Sequence, residues 1–180
     1  ERPDFVINCV AYTNVDLAEE EREEAFALNA QVPGLLGEVC KEIGAVLIHF
    51  STDYVFDGSS KNSWKEDDMT GPLNVYGQSK LEGEKMLIDR CENYYIIRTS
   101  WLFGPNGRNF VDTMIGLAKE RDELAVVNDQ FGSPTYTFDL VDAVVERFIV
   151  GQPDFGIYHL TNSGSCSWFQ FAEEIFRLRG

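Results

Sequence analysis

The stretch AVLIHFSTD, from Ala45 to Asp53, decides the fold class. Its first six residues form a nearly continuous apolar run, which is typical of a strand buried on both faces of a sheet. FVINCVA at Phe5–Ala11 and YYIIRTSW at Tyr94–Trp101 repeat the pattern, and segments with helical character separate the three runs. Strands that alternate with helices predict an α/β protein with a doubly wound parallel sheet.

Further helices and strands follow from periodicity and from capping residues. The predicted elements are a helix at Leu17–Ile43 divided near Pro33 and Gly34, helices at Asn74–Asp89 and Phe110–Arg121, a strand at Leu124–Asp129, a helix from an Asp139 cap to Val150, a strand at Gly156–Leu160 and a last helix capped by Ser167.

The composition excludes several classes of partner. Thirty acidic against fifteen basic residues give a formal charge of −15, which argues against nucleic acid and against an anionic membrane surface, because both need a basic footprint. No apolar run approaches the roughly 20 residues that span a bilayer, and no signal segment opens the chain. We expect a cytoplasmic globular protein.

The cysteines and histidines do not suggest a metal site. Cys9, Cys40, Cys91 and Cys166 are widely spaced and form no C-x-x-C pair, unlike a zinc site or a disulfide framework. The two histidines lie inside apolar strand-like runs and are interpreted as structural. The sequence therefore predicts reduced cysteines and no metal.

A group of polar side chains follows the predicted strands, where ligands bind in open parallel sheets. Thr52 and Asp53 end one strand, Trp101 ends the next, and Tyr76 and Lys80 stand four residues apart on the helix between them. An ammonium about 4 Å from a phenol, at an effective dielectric constant near 20, favours the phenolate by roughly 4 kcal/mol. That corresponds to a pKa lowered by roughly three units, so the spacing predicts a proton-donating tyrosine.

The motifs STDYVFDG, PLNVYGQSKLEGEK, IIRTSWLFG, VVNDQFGSPT and GIYHLTNSG together resemble one known family. The chain is similar over essentially all 180 residues to the dTDP-4-dehydrorhamnose reductase family of the extended short-chain dehydrogenase/reductase superfamily. The resemblance implies a Rossmann-like, NAD(P)-binding fold and an oxidoreductase of dTDP-rhamnose biosynthesis. Its substrate would be a 4-keto nucleotide sugar, dTDP-4-dehydro-L-rhamnose, reduced to dTDP-L-rhamnose.

The resemblance also implies roles for individual residues. Tyr76 would protonate the C4 oxygen of the sugar, Lys80 would lower the Tyr76 pKa and hold the nicotinamide ribose, and Thr52 would bind the reacting oxygen. The implied sites are catalytic for Thr52, Tyr76 and Lys80; cofactor-binding for Ala11, Tyr12, Thr13, Asn29, Tyr76 and Lys80; and substrate-binding for Thr52, Asp53, Trp101, Asn128, Gln130 and Thr135.

The glycine-rich turn that binds the cofactor pyrophosphate has no counterpart in this sequence. We therefore interpret residues 1–180 as a single α/β domain fragment, incomplete at both ends, and expect it to be weak or inactive by itself. Residues 1–123 would form the latter part of the dinucleotide-binding region, and residues 124–180 part of the substrate-binding region. The choice between NADPH and NADH stays open, and an open apolar edge at the first strand predicts a homo-oligomer.

Two related branches of the superfamily are alternatives to a reductase. Sugar-nucleotide 4,6-dehydratases have Thr-Asp-Glu at this strand end, whereas Thr52 and Asp53 precede Tyr54, which favours a simple reductase. The regulatory subunit of methionine adenosyltransferase is a non-catalytic homologue on the same fold, in which we expect the tryptophan of RTSW to be absent. Trp101 favours the enzyme, and the binding module remains the alternative.

Overall fold

The structure, a computed structural model, describes residues 2–179. Its strands are β1 (Phe5–Asn8), β2 (Val46–Thr52), β3 (Tyr94–Thr99), β4 (Leu102–Phe103), β5 (Phe131–Gly132), β6 (Thr135–Tyr136), β7 (Gly156–His159) and β8 (Cys166–Ser167). Its α-helices are α1 (Arg22–Phe26), α2 (Val32–Ile43), α3 (Val75–Arg90), α4 (Phe110–Leu117), α5 (Thr137–Val144) and α6 (Trp168–Arg179).

The described residues divide into two compact units. The first contains the chain up to Thr99 together with Gly151–His159, and the second contains Ser100–Val150 together with the chain from Leu160 onward. The predicted functional division after residue 123 concerns roles in binding, and it stays a prediction.

The first unit is built on a four-stranded parallel sheet in the order β1-β2-β3-β7. Apolar side chains of the sheet and of the helices α2 and α3 form one core, which includes Cys40, Leu47, Leu87 and Ile96. A parallel sheet with flanking helices confirms the predicted fold class. No helix in residues 2–179 has the length and apolar character needed to cross a membrane.

The carboxyl ends of three strands lie along one edge of this sheet. Asn8 ends β1 beside His49, and Thr52 at the end of β2 pairs with Thr99 at the end of β3. Ligands of parallel sheets bind at this edge. The fold therefore presents Thr52 where the sequence predicted a site.

The first long helix is not divided at Pro33, so that prediction was wrong. The helix runs from Arg22 to Ile43 and contains a wide π turn at Ala27–Gln31, with Pro33 in the first turn of α2. Proline lacks the N–H that would bond the carbonyl four residues earlier, here that of Asn29. A wider turn just before the proline accommodates that missing bond without ending the helix.

The second unit contains short strand pairs, β4 with β6 and β5 with β8, and the helices α4, α5 and α6. Its core gathers Met114, Ala172 and Ile175 with partly buried neighbours that include Leu124 and Val126. The predicted strand at Leu124–Asp129 is absent, since its apolar side chains pack against α4 and α6 and none of its residues joins a sheet.

Two helix boundaries in this unit also differ from the predictions. Helix α4 ends at Leu117 and does not reach Arg121. Asp139 lies in the first turn of α5 and does not cap it, because its carboxylate accepts a hydrogen bond from Asn162 Nδ2 at 2.7 Å. The Ser167 cap of α6 is confirmed by a 3.1 Å hydrogen bond from Gln170 N to Ser167 Oγ.

Candidate active site

Thr52 ends β2 as a buried residue whose hydroxyl makes two hydrogen bonds to the chain that follows it. Its Oγ1 donates to Asp53 Oδ1 at 3.0 Å and accepts from Tyr54 N at 3.2 Å. These two bonds turn the chain into a short 3-10 helix at Asp53–Val55. The turn holds the Thr52 hydroxyl and the Asp53 carboxylate side by side.

The start of α3 is fixed against this turn. The side chain of Asn74 caps the helix by accepting from Gly77 N at 2.8 Å. Gly77 lies so close to the preceding loop that a Cβ there would be 2.2 Å from the carbonyl oxygen of Tyr54. The rings of Tyr54 and Tyr76 meet edge to face at 5.5 Å. Glycine therefore lets the first turn of α3 bring Tyr76 to the end of β2.

The Tyr76 phenol differs from its prediction. Burial raises the pKa of Tyr76 to about 12; a hydrogen bond with Thr52 lowers that pKa, whereas the charge of Asp53 raises it. The prediction that Lys80 lowers the Tyr76 pKa was wrong for this structure. The physical reason is that the Lys80 ammonium points to the sheet, where Nζ donates to the carbonyl oxygen of Phe50 at 2.6 Å.

Lys80 is a buried cation with unused hydrogen-bonding capacity. Its side chain is 2% exposed, and burial lowers its pKa to about 8, partly opposed by the charge of Glu84. An ammonium has three N–H donors, and among residues 2–179 only the bond to Phe50 uses one of them. Two donors are thus left for a ligand.

Asn29 connects α3 to the loop that follows β1. It is fully buried; its Oδ1 accepts from Tyr12 N at 2.9 Å, and its Nδ2 donates to Tyr12 O and to Ser79 Oγ, both at 3.0 Å. Ser79 Oγ in turn donates to the carbonyl oxygen of Tyr76 at 2.8 Å. Of the loop residues predicted to line the cofactor, Ala11 and Tyr12 are half-buried and Thr13 is exposed.

Asp53 is half-buried beside these groups. Burial raises the pKa of Asp53 to about 6, and the hydrogen bond from Thr52 opposes part of that rise. A carboxyl with a raised pKa beside a half-buried tyrosine is a common feature of sites that bind or move protons.

Sequence reasoning missed a buried ion pair at the same strand end. The side chains of Arg98 in β3 and Glu84 in α3 are 4% and 1% exposed, and Arg98 Nη2 lies 2.7 Å from Glu84 Oε2. Ser51 Oγ donates to Oε1 of the same carboxylate at 2.5 Å. The available signal was an arginine inside the apolar run YYIIRTSW, since a buried arginine needs a partner.

The second unit holds the other predicted substrate residues. Trp101 has a left-handed backbone with φ 49° and stacks on Trp168 with ring centroids 3.4 Å apart. A Cβ at Gly132 would lie 2.4 Å from the Trp101 ring. A bulky residue held in this strained conformation is often part of a functional site. Sequence reasoning missed Trp168.

The remaining predicted contacts have different environments. Thr135 is buried; its N–H donates to the carbonyl oxygen of Trp101 at 3.2 Å, so it supports the tryptophan. Asn128 is exposed and accepts from Ser167 Oγ at 2.6 Å, and Gln130 is exposed. Their substrate contacts stay predictions.

No cluster of three or more potential metal ligands is found in residues 2–179. All four cysteines are free thiols.

Comparison with known proteins adds a family to this geometry. The family model described as the RmlD substrate binding domain matches residues 1–180. The chain is 47% identical over 178 residues to the dTDP-4-dehydrorhamnose reductase of Escherichia coli strain K12, covering 97% of this chain and 60% of that protein. It is 45% identical to the spore coat polysaccharide biosynthesis protein SpsK of Bacillus subtilis, with 99% and 62% covered.

Solved structures give the same result. A dTDP-4-dehydrorhamnose reductase from Clostridium acetobutylicum has a TM-score of 0.96 at 46% identity, covering 100% of this chain and 63% of that one. The enzyme of Bacillus anthracis in complex with NADP has a TM-score of 0.93 at 45% identity, with 99% and 63% covered. The chain thus spans about 60% of the length of the curated relatives.

Proposed function

Because the chain belongs to the RmlD substrate-binding domain family, we propose that the intact protein is an NAD(P)H-dependent reductase of a 4-keto nucleotide sugar. The substrate would be dTDP-4-dehydro-L-rhamnose and the product dTDP-L-rhamnose. One observation carries the proposal: a chain 47% identical to a reductase places a threonine, a tyrosine and a lysine together at a strand's carboxyl end. The Bacillus anthracis relative in complex with NADP favours NADPH over NADH.

The residues present fit the ribose end of a nicotinamide cofactor. Lys80 keeps two N–H donors for hydroxyl acceptors, and Asn29 orders the loop Ala11–Thr13 at the same edge of the sheet. When bound, the reduced nicotinamide supplies the hydride for C4 of the sugar. Residues 2–179 contain no glycine-rich turn of the kind that binds a cofactor pyrophosphate at a helix N-terminus.

The chain's own groups perform the proton transfer in this proposal. With a pKa of about 12, Tyr76 carries its proton throughout the neutral range and can donate it to the C4 oxygen as negative charge develops there. Thr52, whose hydroxyl lies between Tyr76 and Asp53, orients the reacting oxygen. The Lys80 ammonium gives the site its positive charge and keeps two N–H donors for the cofactor.

An enzymatic assay tests the proposal. The intact protein is mixed with NADPH and dTDP-4-dehydro-L-rhamnose, and nicotinamide absorbance and the sugar product are followed together. Stoichiometric loss of NADPH with formation of dTDP-L-rhamnose is expected. Cofactor or nucleotide binding without turnover would instead support the non-catalytic regulatory module.

Tyr76→Phe tests the assignment of the proton donor. We expect kcat to fall by roughly 100- to 10,000-fold, the usual contribution of a general acid, with NADPH binding nearly unchanged. Tyr94→Phe is the matched control, because Tyr94 begins β3 at the opposite end of the sheet. Retained turnover in Tyr76→Phe would contradict the mechanism.

The cytoplasmic location and the homo-oligomer also remain proposals. The charge and composition support the first. The position of β1 at the edge of the sheet, with Ile7 46% exposed, supports the second. Sedimentation velocity of the intact protein tests self-association, and a monomer at every concentration would contradict it.

A further inference from the structure

The ion pair between Glu84 and Arg98 joins α3 to β3 inside the first unit. It is bidentate, with Arg98 Nε donating to Glu84 Oε1 at 2.9 Å and Nη2 donating to Oε2 at 2.7 Å. Ser51 of β2 donates to Glu84 Oε1 at 2.5 Å. One carboxylate therefore ties together a helix and two adjacent strands.

These contacts bracket the residues assigned to the reaction. Ser51 directly precedes Thr52 in the chain. On the other side, the Arg98 guanidinium lies 5.1 Å from the centre of the Phe56 ring, and its Nη1 donates to the carbonyl oxygen of Glu66 at 3.2 Å. The turn that presents Thr52 and Asp53 is thus held at both of its ends by the same ion pair.

Stability alone does not explain a charge pair at this place. Replacing a buried ion pair by apolar residues of similar volume is often neutral or stabilising. The bidentate geometry of the Arg98–Glu84 pair, however, fits only one relative position of the helix and the strand that carry the two residues. Tyr76 and Lys80 lie on the same helix as Glu84, two turns and one turn before it.

We propose that Glu84 is a positioning residue for the reductase reaction, holding the end of β2 in register with the helix that carries the proton donor. The inference rests on the proposed function. Glu84 acts through Ser51 and Arg98 and does not touch the substrate.

Glu84 has a second effect, on the charge of Lys80. It is the acidic group that favours the protonated form of Lys80 against burial. From β2, the neutral His49 and the carbonyl oxygen of Phe50 face the same ammonium. Glu84 thus pairs directly with Arg98 and also favours the charge of Lys80.

The test is the rate–pH profile of the intact protein with NADPH and dTDP-4-dehydro-L-rhamnose for wild type, Glu84→Gln and Glu82→Gln. Glu84→Gln is expected to lower kcat by roughly 10- to 100-fold with little change in KM, the effect of about 1 Å of misplacement. Lys80 is expected to titrate at a lower pH in Glu84→Gln, because Glu84 is the charge that raises its pKa against burial. Glu82, which is 47% exposed on the same helix, is the matched control and leaves both unchanged.

The outcomes separate the inference from the proposed function. Wild type without turnover overturns the function, and the inference with it. Active wild type together with a folded Glu84→Gln of equal kcat and an equal pH profile overturns the inference alone. If Glu84→Gln does not fold, Arg98→Lys decides, because it keeps the charge but loses the fork: a lower kcat with an unchanged pH profile supports the inference, and an unchanged kcat overturns it.

Discussion

Replacing Lys80 by methionine is expected to stabilise the fold at neutral pH while it destroys the reductase activity. Lys80 is 2% exposed, and its pKa falls from 10.5 to about 8 on burial. At about 1.4 kcal/mol per pKa unit, a protonated Lys80 costs the folded state roughly 3 kcal/mol at pH 7. The lost hydrogen bond to the carbonyl of Phe50 offsets about 1 kcal/mol, so a net gain of about 2 kcal/mol is expected.

The pH dependence gives the sign of this effect independently. A lysine whose pKa is lowered in the folded state binds protons more weakly there than in the unfolded state, so the stability of wild type rises with pH between about 8 and 10.5. The cost of Lys80 is complete well below pH 8 and falls to about 1 kcal/mol at pH 9.5. Lys80→Met therefore loses most of its advantage at the higher pH.

Urea unfolding of the intact protein at pH 7 and pH 9.5 measures this difference. Lys85→Met is the matched control, because Lys85 lies on the same helix with its side chain 60% exposed, and its effect should not depend on pH. An equal stability difference between Lys80→Met and wild type at both pH values would refute the reasoning. Turnover assays complete the experiment, since Lys80→Met should also bind NADPH more weakly.

Four further substitutions test the packing of three glycines and the burial of Asp53. Gly83→Ala should destabilise the protein by about 1–3 kcal/mol, because its Cβ would lie 2.0 Å from a backbone oxygen of the neighbouring helix. Gly116→Ala, in open space in α4, should instead stabilise the protein by about 0.5–1 kcal/mol. Urea unfolding compares the two variants, and equal effects would contradict the packing argument. Gly132→Ala should raise KM for the nucleotide sugar with kcat less affected, because a methyl group there displaces the Trp101 ring; an unchanged KM would count against a substrate role for that ring. Because burial disfavours the Asp53 carboxylate, wild type should lose about 3 kcal/mol of stability as the pH rises from 3.8 to about 6. Asp53→Asn should not show this loss. Parallel stability–pH curves for the variant and wild type would exclude this effect.

The sequence predicted those parts of the fold whose causes are local. The apolar run before Ser51 predicts a buried parallel strand, and β2 forms there, beginning one residue later and ending two residues later than expected. Asn74 and Ser167 cap their helices because a short polar side chain bonds a nearby backbone N–H, a relation that spans only three residues. The same reasoning failed at Asp139, because a partner 23 residues away in the chain competes for its carboxylate.

The parts that could not be predicted depend on distant contacts. The run Leu124–Asp129 has strand-like composition, but its apolar side chains are used to cover helices. Trp168 stacks on Trp101 although it lies 67 residues later in the chain, and no local pattern encodes that stack. The sequence indicates only one member of the Glu84–Arg98 pair, because an arginine in a buried strand predicts an acidic partner but does not identify it.

The failed prediction for the Tyr76 pKa changes how the site is understood. The four-residue spacing places Tyr76 and Lys80 on one helix face. It does not predict which acceptor the Lys80 ammonium bonds, and in the structure that acceptor is the carbonyl oxygen of Phe50. With a pKa of about 12, Tyr76 stays protonated near neutral pH, whereas the pKa of Lys80, about 8, lies close to it. A ligand that accepts hydrogen bonds from the free donors of Lys80 favours its charged form. The charge of Lys80 in this site therefore depends on what binds to it, and the sequence motif supplies only the residues.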